Sequence, residues 1–272
     1  MRYIIDHDLH IHSNISSCAN YPDNTAESIL SAAKKVNIKK IALTDHFWDM
    51  DIECEIKAGS CGFERLSSVL PLPRDENVEF LFGCEADVNY DMVVGVAKEK
   101  FDKFDIILIS LTHNQKVGKA IKKEDSMIPE RLARVWVERL ESLLNQNLPF
   151  CKIGITHLTT PNIAKSSPEI YKKTLDLIPE DDLIRVFNLA SMRGVGIELN
   201  ATDMKYTEEN KERILRIYRA AKRCGCKFYC GSDSHHFSGI EKKRISFIES
   251  AIDELGLTED DKWPLARVKK DL

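Results

Sequence analysis

Seven short runs of apolar and β-branched residues recur along the 272-residue chain, at Tyr3 to Ile5, Lys40 to Leu43, Val78 to Phe82, Asp105 to Leu111, Lys152 to Thr156, Val195 to Leu199 and Lys227 to Cys230. Several are apolar almost throughout, the pattern of strands buried on both faces of a parallel sheet. Helical periodicity fills most of the intervals. Asn24 is placed to cap a helix with Glu27 three residues on, and Ile29, Leu30, Ala33 and Val36 give it an apolar face that should end near Asn37. Further helices are predicted at about Pro129 to Asn145, Glu169 to Leu177, Asp182 to Met192, Glu208 to Arg223 and Lys242 to Leu255, with Pro129 suited to a first turn and Gly225 to the position beyond a last one. This alternation predicts βα units with right-handed crossovers, and seven strands is one short of a regular eight-stranded barrel. From Phe47 to Asn77 no period is sustained and Gly59, Gly62, Pro71 and Pro73 intervene. As a long βα loop this stretch would either lie over the barrel mouth and shape access or be a structural excursion.

Composition narrows the class. A chain of this length fits one α/β barrel domain, residues 1–272, and 43% hydrophobic residues are enough for a large core. The formal net charge of −4 lacks the basic footprint of a nucleic-acid binder, so a nucleic-acid partner is disfavoured. The N-terminus reaches Asp6 and His7 after only five residues, which predicts no signal peptide, and no window approaches a membrane span. Eight cysteines without an export signal are expected as reduced thiols in a cytoplasmic protein.

Candidate chemistry sits at the ends of the apolar runs. Six of the eight histidines lie there, in the segments Asp8-Leu9-His10-Ile11-His12, Thr44-Asp45-His46, Thr112-His113, Thr156-His157 and Gly231-Ser232-Asp233-Ser234-His235, and Glu85 follows Gly83-Cys84. The C-terminal ends of barrel strands converge on one mouth, so ligands spread over many strands can meet there. In an extended strand Asp8, His10 and His12 share one face, the histidines about 6.6 Å apart, and Asp8 is placed to orient a ligand. A carboxylate directly after a buried run, as at Glu85, needs cationic partners, which a position between two metal ions would provide. Imidazole with carboxylate suits Zn²⁺, Mn²⁺ or Fe²⁺ better than the oxygen-preferring Ca²⁺ or Mg²⁺, and the excess of ligands implies two or three ions. Cys224-Gly225-Cys226 with Cys230 lacks the second ligand pair of a zinc site and is set aside.

Taken in order, these segments resemble the motifs of the PHP (polymerase and histidinol phosphatase) metallohydrolases over residues 3–236. The resemblance implies a distorted seven-stranded (β/α)7 TIM-like barrel. It implies that His10, His12, Glu85 and Asp233 hold one ion, that Glu85, His113 and His157 hold a second with Glu85 bridging, and that His46 and His235 hold a third. Where histidinol-phosphatase-like members have another histidine about six residues after the His-x-His pair, this chain has Cys18, able to bind Zn²⁺ or Fe²⁺ only as a thiolate. His7 and His236 have no counterpart.

The activity implied is hydrolysis of a small phosphate monoester, of which L-histidinol phosphate is the obvious family example, by a hydroxide bridging two ions, with Asp233 or a bound water protonating the departing alkoxide. Asn114, Lys116, Arg193, Asn200 and Lys205 are candidates to position substrate. The alternatives are a nucleotide or single-stranded nucleic-acid phosphodiesterase and a non-catalytic metal-binding protein. The sequence leaves the oligomeric state open.

Overall fold

Parallel strands form the centre of the molecule, as a computed structural model describing residues 1–52, 61–164 and 167–265 shows. The strands are β1 (His7–Ile11), β2 (Lys40–Leu43), β3 (His46–Phe47), β4 (Glu79–Asp87), β5 (Ile106–Ser110), β6 (Ile153–Thr156), β7 (Gly196–Asn200) and β8 (Lys227–Gly231). The helices are α1 (Ala26–Lys35), α2 (Phe63–Ser67), α3 (Pro129–Leu144), α4 (Pro168–Leu177), α5 (Glu180–Arg193), α6 (Glu208–Arg223) and α7 (Lys242–Leu255). Strand order is β1-β2-β4-β5-β6-β7-β8, every pairing parallel, with the two-residue β3 paired to β4 at its C-terminal half. This is the seven-stranded, nearly closed (β/α) barrel expected from the run count, with β3 as an added fragment.

The last seam is made differently from the others. At its base, Cys230 N–H donates to His7 Nε2 (3.0 Å) and Ser232 N–H to Asp8 Oδ1 (2.8 Å); above, Asp233 N–H donates to the His10 carbonyl (2.8 Å) and His12 N–H to that of Ser234 (2.9 Å). Side chains thus replace half of a β1–β8 ladder, which gives the otherwise unassigned His7 a structural task. Inside the barrel, Leu9, Ala42, Leu81, Ile106, Leu108, Tyr229 and Trp263 form one cluster. Gly154 and Gly196 make room for it, because a Cβ there would stand 2.7 Å from Tyr229 and 2.5 Å from Trp263 respectively. The larger core lies outside the sheet, under the helices.

Three expectations need correction. The first strand is His7–Ile11, not Tyr3–Ile5: Tyr3 is an anchor whose N–H donates to the Leu257 carbonyl and whose hydroxyl donates to that of Phe228, while the polar site residues interrupt the apolar signal of the true strand. Helix α1 is capped by Thr25, which accepts from Ser28 N–H, because the Asn24 amide is engaged elsewhere. The register of β1 against β2 slips by one residue between Asp8 and Ile11, which pair with Ile41 and Leu43. Ile11, Ile41 and Leu43 belong to the cluster beneath α1, so the bulge turns Asp8 outward and off the face shared by His10 and His12. Of the two readings of Phe47 to Asn77, the described residues favour the structural excursion, since none of them lines the mouth cavity and they include α2; residues 53–60 lie outside the described residues.

Candidate metal centre

Every residue expected to bind metal arrives at one end of the barrel. His10 is the last residue but one of β1 and His12 follows the strand; His46 begins β3; Glu85 lies within β4, two residues before its end; His113 and His157 follow β5 and β6; Asp233 and His235 follow β8. His157 and Asp233 hold backbone φ of 31° and 51°, a region non-glycine residues seldom occupy and one that concentrates at functional sites. The Thr112 hydroxyl fixes the first of these turns by donating to the His157 carbonyl at 3.0 Å.

Glu85 is the hub. Its Oε2 lies 2.9 Å from His46 Nδ1 and 3.5 Å from Nε2 of both His10 and His12, while its Oε1 lies 2.8 Å from His157 Nε2 and 3.8 Å from His113 Nε2. Asp233 Oδ1 closes the other side, 3.3 Å from His12 Nε2 and 3.6 Å from His10 Nε2. Donor atoms of His10, His12 and Glu85 lie within 4.8 Å of one another, as do those of Glu85, His113 and His157, of His10, His157 and Asp233, of His12, Asp233 and His235, and of His12, Cys18 and His46.

The rings are oriented by partners behind them. His10 Nδ1 faces Glu198 Oε1 at 2.7 Å and His113 Nδ1 faces Asp87 Oδ1 at 2.6 Å, so each places its N–H on a carboxylate. Since the Thr112 hydroxyl donates to a carbonyl, it accepts from His157 Nδ1 (3.1 Å). Ser16, whose hydroxyl donates to Asp45 (2.6 Å), faces His12 Nδ1 at 3.5 Å. Four Nε2 lone pairs are thereby turned toward Glu85 and Asp233. Nε2 of His10 and of His12 stand 3.2 Å apart, both rings fully buried, a spacing that only a shared proton or a cation between them can stabilise.

The charge balance points the same way. Burial alone would raise the Glu85 carboxyl, but His46 and His10 hold it well below the usual carboxylate range. Burial likewise opposes charge on His157, yet Glu85 lifts that ring to about 9, whereas burial dominates at His12 and lowers it to about 3. At Cys18 the rings of His235 and His46 outweigh burial and bring the thiol down to about 7. A set of carboxylates and mostly buried imidazoles, with one exposed thiol at its edge, competing for positive charge suits divalent transition-metal ions, and the residues present fit them.

A cavity of about 330 Å³ opens onto these residues, with Cys18, Gln115, Lys116, Thr160 and Asn162 on its walls. Lys116 is paired with Asp87 and places a cation at the mouth. The other positioning candidates are otherwise engaged. Asn114 Oδ1 accepts from Arg139 (2.8 Å) and its amide donates to Ile163; Asn200 bonds Glu198 and Thr202; Arg193 donates to the Leu144 carbonyl and stacks over Phe150; Lys205 lies over Phe247. None of these but Lys116 lines the mouth cavity.

Asp8 does not orient a ligand ring. Its carboxyl, pushed up to about 6 by burial against hydrogen bonds from Ser232, fastens the seam. Glu198 and Asp87 take that role and were missed by sequence reasoning. Asp87 stands two residues after Glu85, hence on the same strand face, and Glu198 is an acid inside an apolar run, but neither position by itself says which histidine the acid faces. His236 caps a short turn by accepting from Ser238 N–H, and the thiols of Cys224, Cys226 and Cys230 face Ile184 O, Phe187 O and the Tyr3 hydroxyl, so they form no zinc site. All seven described cysteines are free, and Cys54 lies outside the described residues. Among the described residues no helix is long and apolar enough to cross a membrane.

A probable phosphatase of Caldicellulosiruptor bescii is 24% identical over 241 residues, covering 88% of this chain and 83% of that protein. A probable phosphatase of Caldicellulosiruptor saccharolyticus is 24% identical over 221 residues, covering 80% and 77%. The histidinol phosphate phosphatase of Lactococcus lactis subsp. lactis, solved in complex with zinc, L-histidinol and phosphate, shares the fold with a TM-score of 0.60 at 14% identity, over 94% of this chain and 95% of its own. A putative histidinol phosphatase of Listeria monocytogenes does so at 0.60 and 15%, over 88% and 99%. The PHP domain itself matches residues 8–202, from the first strand through the seventh in chain order and so well over half of the sequence, and the chain belongs to the PHP domain family.

Proposed function

We propose that this protein is a metal-dependent phosphoesterase that hydrolyses a small phosphate monoester. The observation that carries the reading is Glu85, whose two carboxylate oxygens face separate histidine groups, as a ligand shared between two ions would. His10, His12, Glu85 and Asp233 would hold one ion, Glu85, His113 and His157 a second, and His46 with His235 a third. Zinc, manganese or iron, when bound, would supply a water of lowered pKa and positive charge for the phosphate oxygens.

The chain's own residues do the rest. Glu198, Asp87 and Thr112 keep three Nε2 atoms aimed inward, so the ligands need little reorganisation on loading. Lys116 gives the cavity wall a positive point for an anionic ester, and the cavity is of a size for a small molecule. Asp233 is held in its ionised form by His10 and His12 against the effect of burial, which fits a ligand; the protonation of the departing alkoxide assigned to it would then pass through a water that it orients. L-Histidinol phosphate is the first substrate to try, given the ligands of the Lactococcus lactis relative.

The test is phosphate release from a panel of monoesters that includes L-histidinol phosphate, run beside a single-stranded oligonucleotide. Turnover confined to monoesters supports the reading. Turnover of the oligonucleotide alone replaces it with the diesterase, and a metal-loaded protein that hydrolyses neither is a binding protein.

A further inference from the structure

The outer end of the centre contains a sulfur. Cys18 follows β1 in a short 3-10 turn, Ser17–Ala19, is exposed, and lines the mouth cavity. Its Sγ and ring nitrogens of His12 and His46 lie within 4.8 Å of one another, and the His235 ring is within hydrogen-bond reach of the thiol. Among the described residues no other cysteine joins such a group.

The position is fixed by neighbouring chain. Ser16 donates to Asp45 at 2.6 Å and accepts from His46 N–H at 3.0 Å, which ties the start of the turn to the strand bearing His46. Asn24, fully buried, donates its amide to the carbonyls of His12 (3.0 Å), Ala19 (3.4 Å) and His235 (3.2 Å), and accepts from Phe237 N–H (2.8 Å). One side chain therefore holds three segments, two of them bearing ring donors and the third the residue next to the sulfur. A surface cysteine without a role has no need of that arrangement.

We propose that Cys18 is a thiolate ligand, and that with His46 and His235 it makes the outer metal site a soft one that takes zinc or ferrous iron in preference to manganese or magnesium. Thiolate and imidazole together select such ions, whereas hard ions favour oxygen. The proposal rests on the functional reading above only in taking the centre to be metal-loaded.

Cobalt(II) alone, added to the metal-depleted full chain, is the probe. The wild type should show a thiolate-to-cobalt charge-transfer band in the near ultraviolet. Cys18→Ser should lose the band and about one cobalt per chain while keeping the inner ions, and Cys18→His should regain that cobalt without the band. Retention of the band or of the full cobalt count in Cys18→Ser overturns the proposal, as does a cobalt-loaded wild type without the band. These results leave the phosphatase reading standing; a wild type that binds no cobalt overturns both.

Discussion

Both carboxylate oxygens of Glu198 serve the site. Oε1 takes the His10 Nδ1–H, and Oε2 accepts from His157 N–H at 2.7 Å and from the Thr156 hydroxyl. Replacing it by Gln leaves the volume and removes the charge behind His10, so metal affinity or turnover should fall about 10- to 100-fold, the usual cost of losing such a partner. Metal retention during dialysis against a chelator reads this directly, and unchanged retention would mean that Glu198 only packs. Asp87→Asn should act similarly through His113 while removing the negative charge paired with Lys116, so kcat should fall without a rise in KM for an anionic ester. At this scale the residues proposed as ligands were legible as a group that gathers at one end of the barrel, because each follows or ends an apolar run. Glu198 and Asp87 were not, since a single buried acid within a strand gives no periodic signal; only the fold shows which histidine stands opposite it.

At the scale of elements, six of the seven long strands and most helices followed from hydrophobic period alone, and α6 and α7 occupy the spans expected. What failed was β1, where His7, Asp8 and His10 break the apolar run and a one-residue bulge reverses the face that simple alternation assigns to Asp8. Glycine positions show how tightly strands and site are joined. A Cβ at Gly231 in β8 would stand 2.0 Å from Glu198 Oε1 and 2.7 Å from His10 Cβ. Gly231→Ala should therefore displace the Glu198–His10 pair and reduce bound metal even where the fold survives, as circular dichroism beside metal analysis will show. Gly194 is the contrasting case. It ends α5 at φ 73° with nothing within 4 Å of where a Cβ would stand, so Gly194→Ala carries only the left-handed backbone cost of about 1–2 kcal/mol. The melting temperature should drop by a few degrees while metal content and turnover stay unchanged; lost activity would show that α5 is coupled to the mouth.

For the whole molecule, the barrel brings the proposed ligands from residue 10 to residue 235 into one group, and the seam beside β1 is closed partly by the segments that bear them. Metal binding at this group would thus be linked to folding. Chelation should lower the melting temperature and re-addition of zinc restore it, by about 2.7 kcal/mol for a site at a hundredfold excess of metal over Kd. A melting temperature indifferent to chelation would place the ligands outside the stabilising structure. The barrel was implied by the family resemblance and agreed with the strand count, but its seam was not legible, because two main-chain donors there meet the His7 and Asp8 side chains instead of a neighbouring strand.

The most direct measurement is phosphate release from a small monoester by the zinc- or manganese-loaded protein and by Glu85→Gln loaded in the same way. The account predicts turnover in the wild type that chelation stops and metal restores, and none above background in Glu85→Gln with its fold intact. Turnover that survives chelation, or a Glu85→Gln protein as active as the wild type, would contradict it.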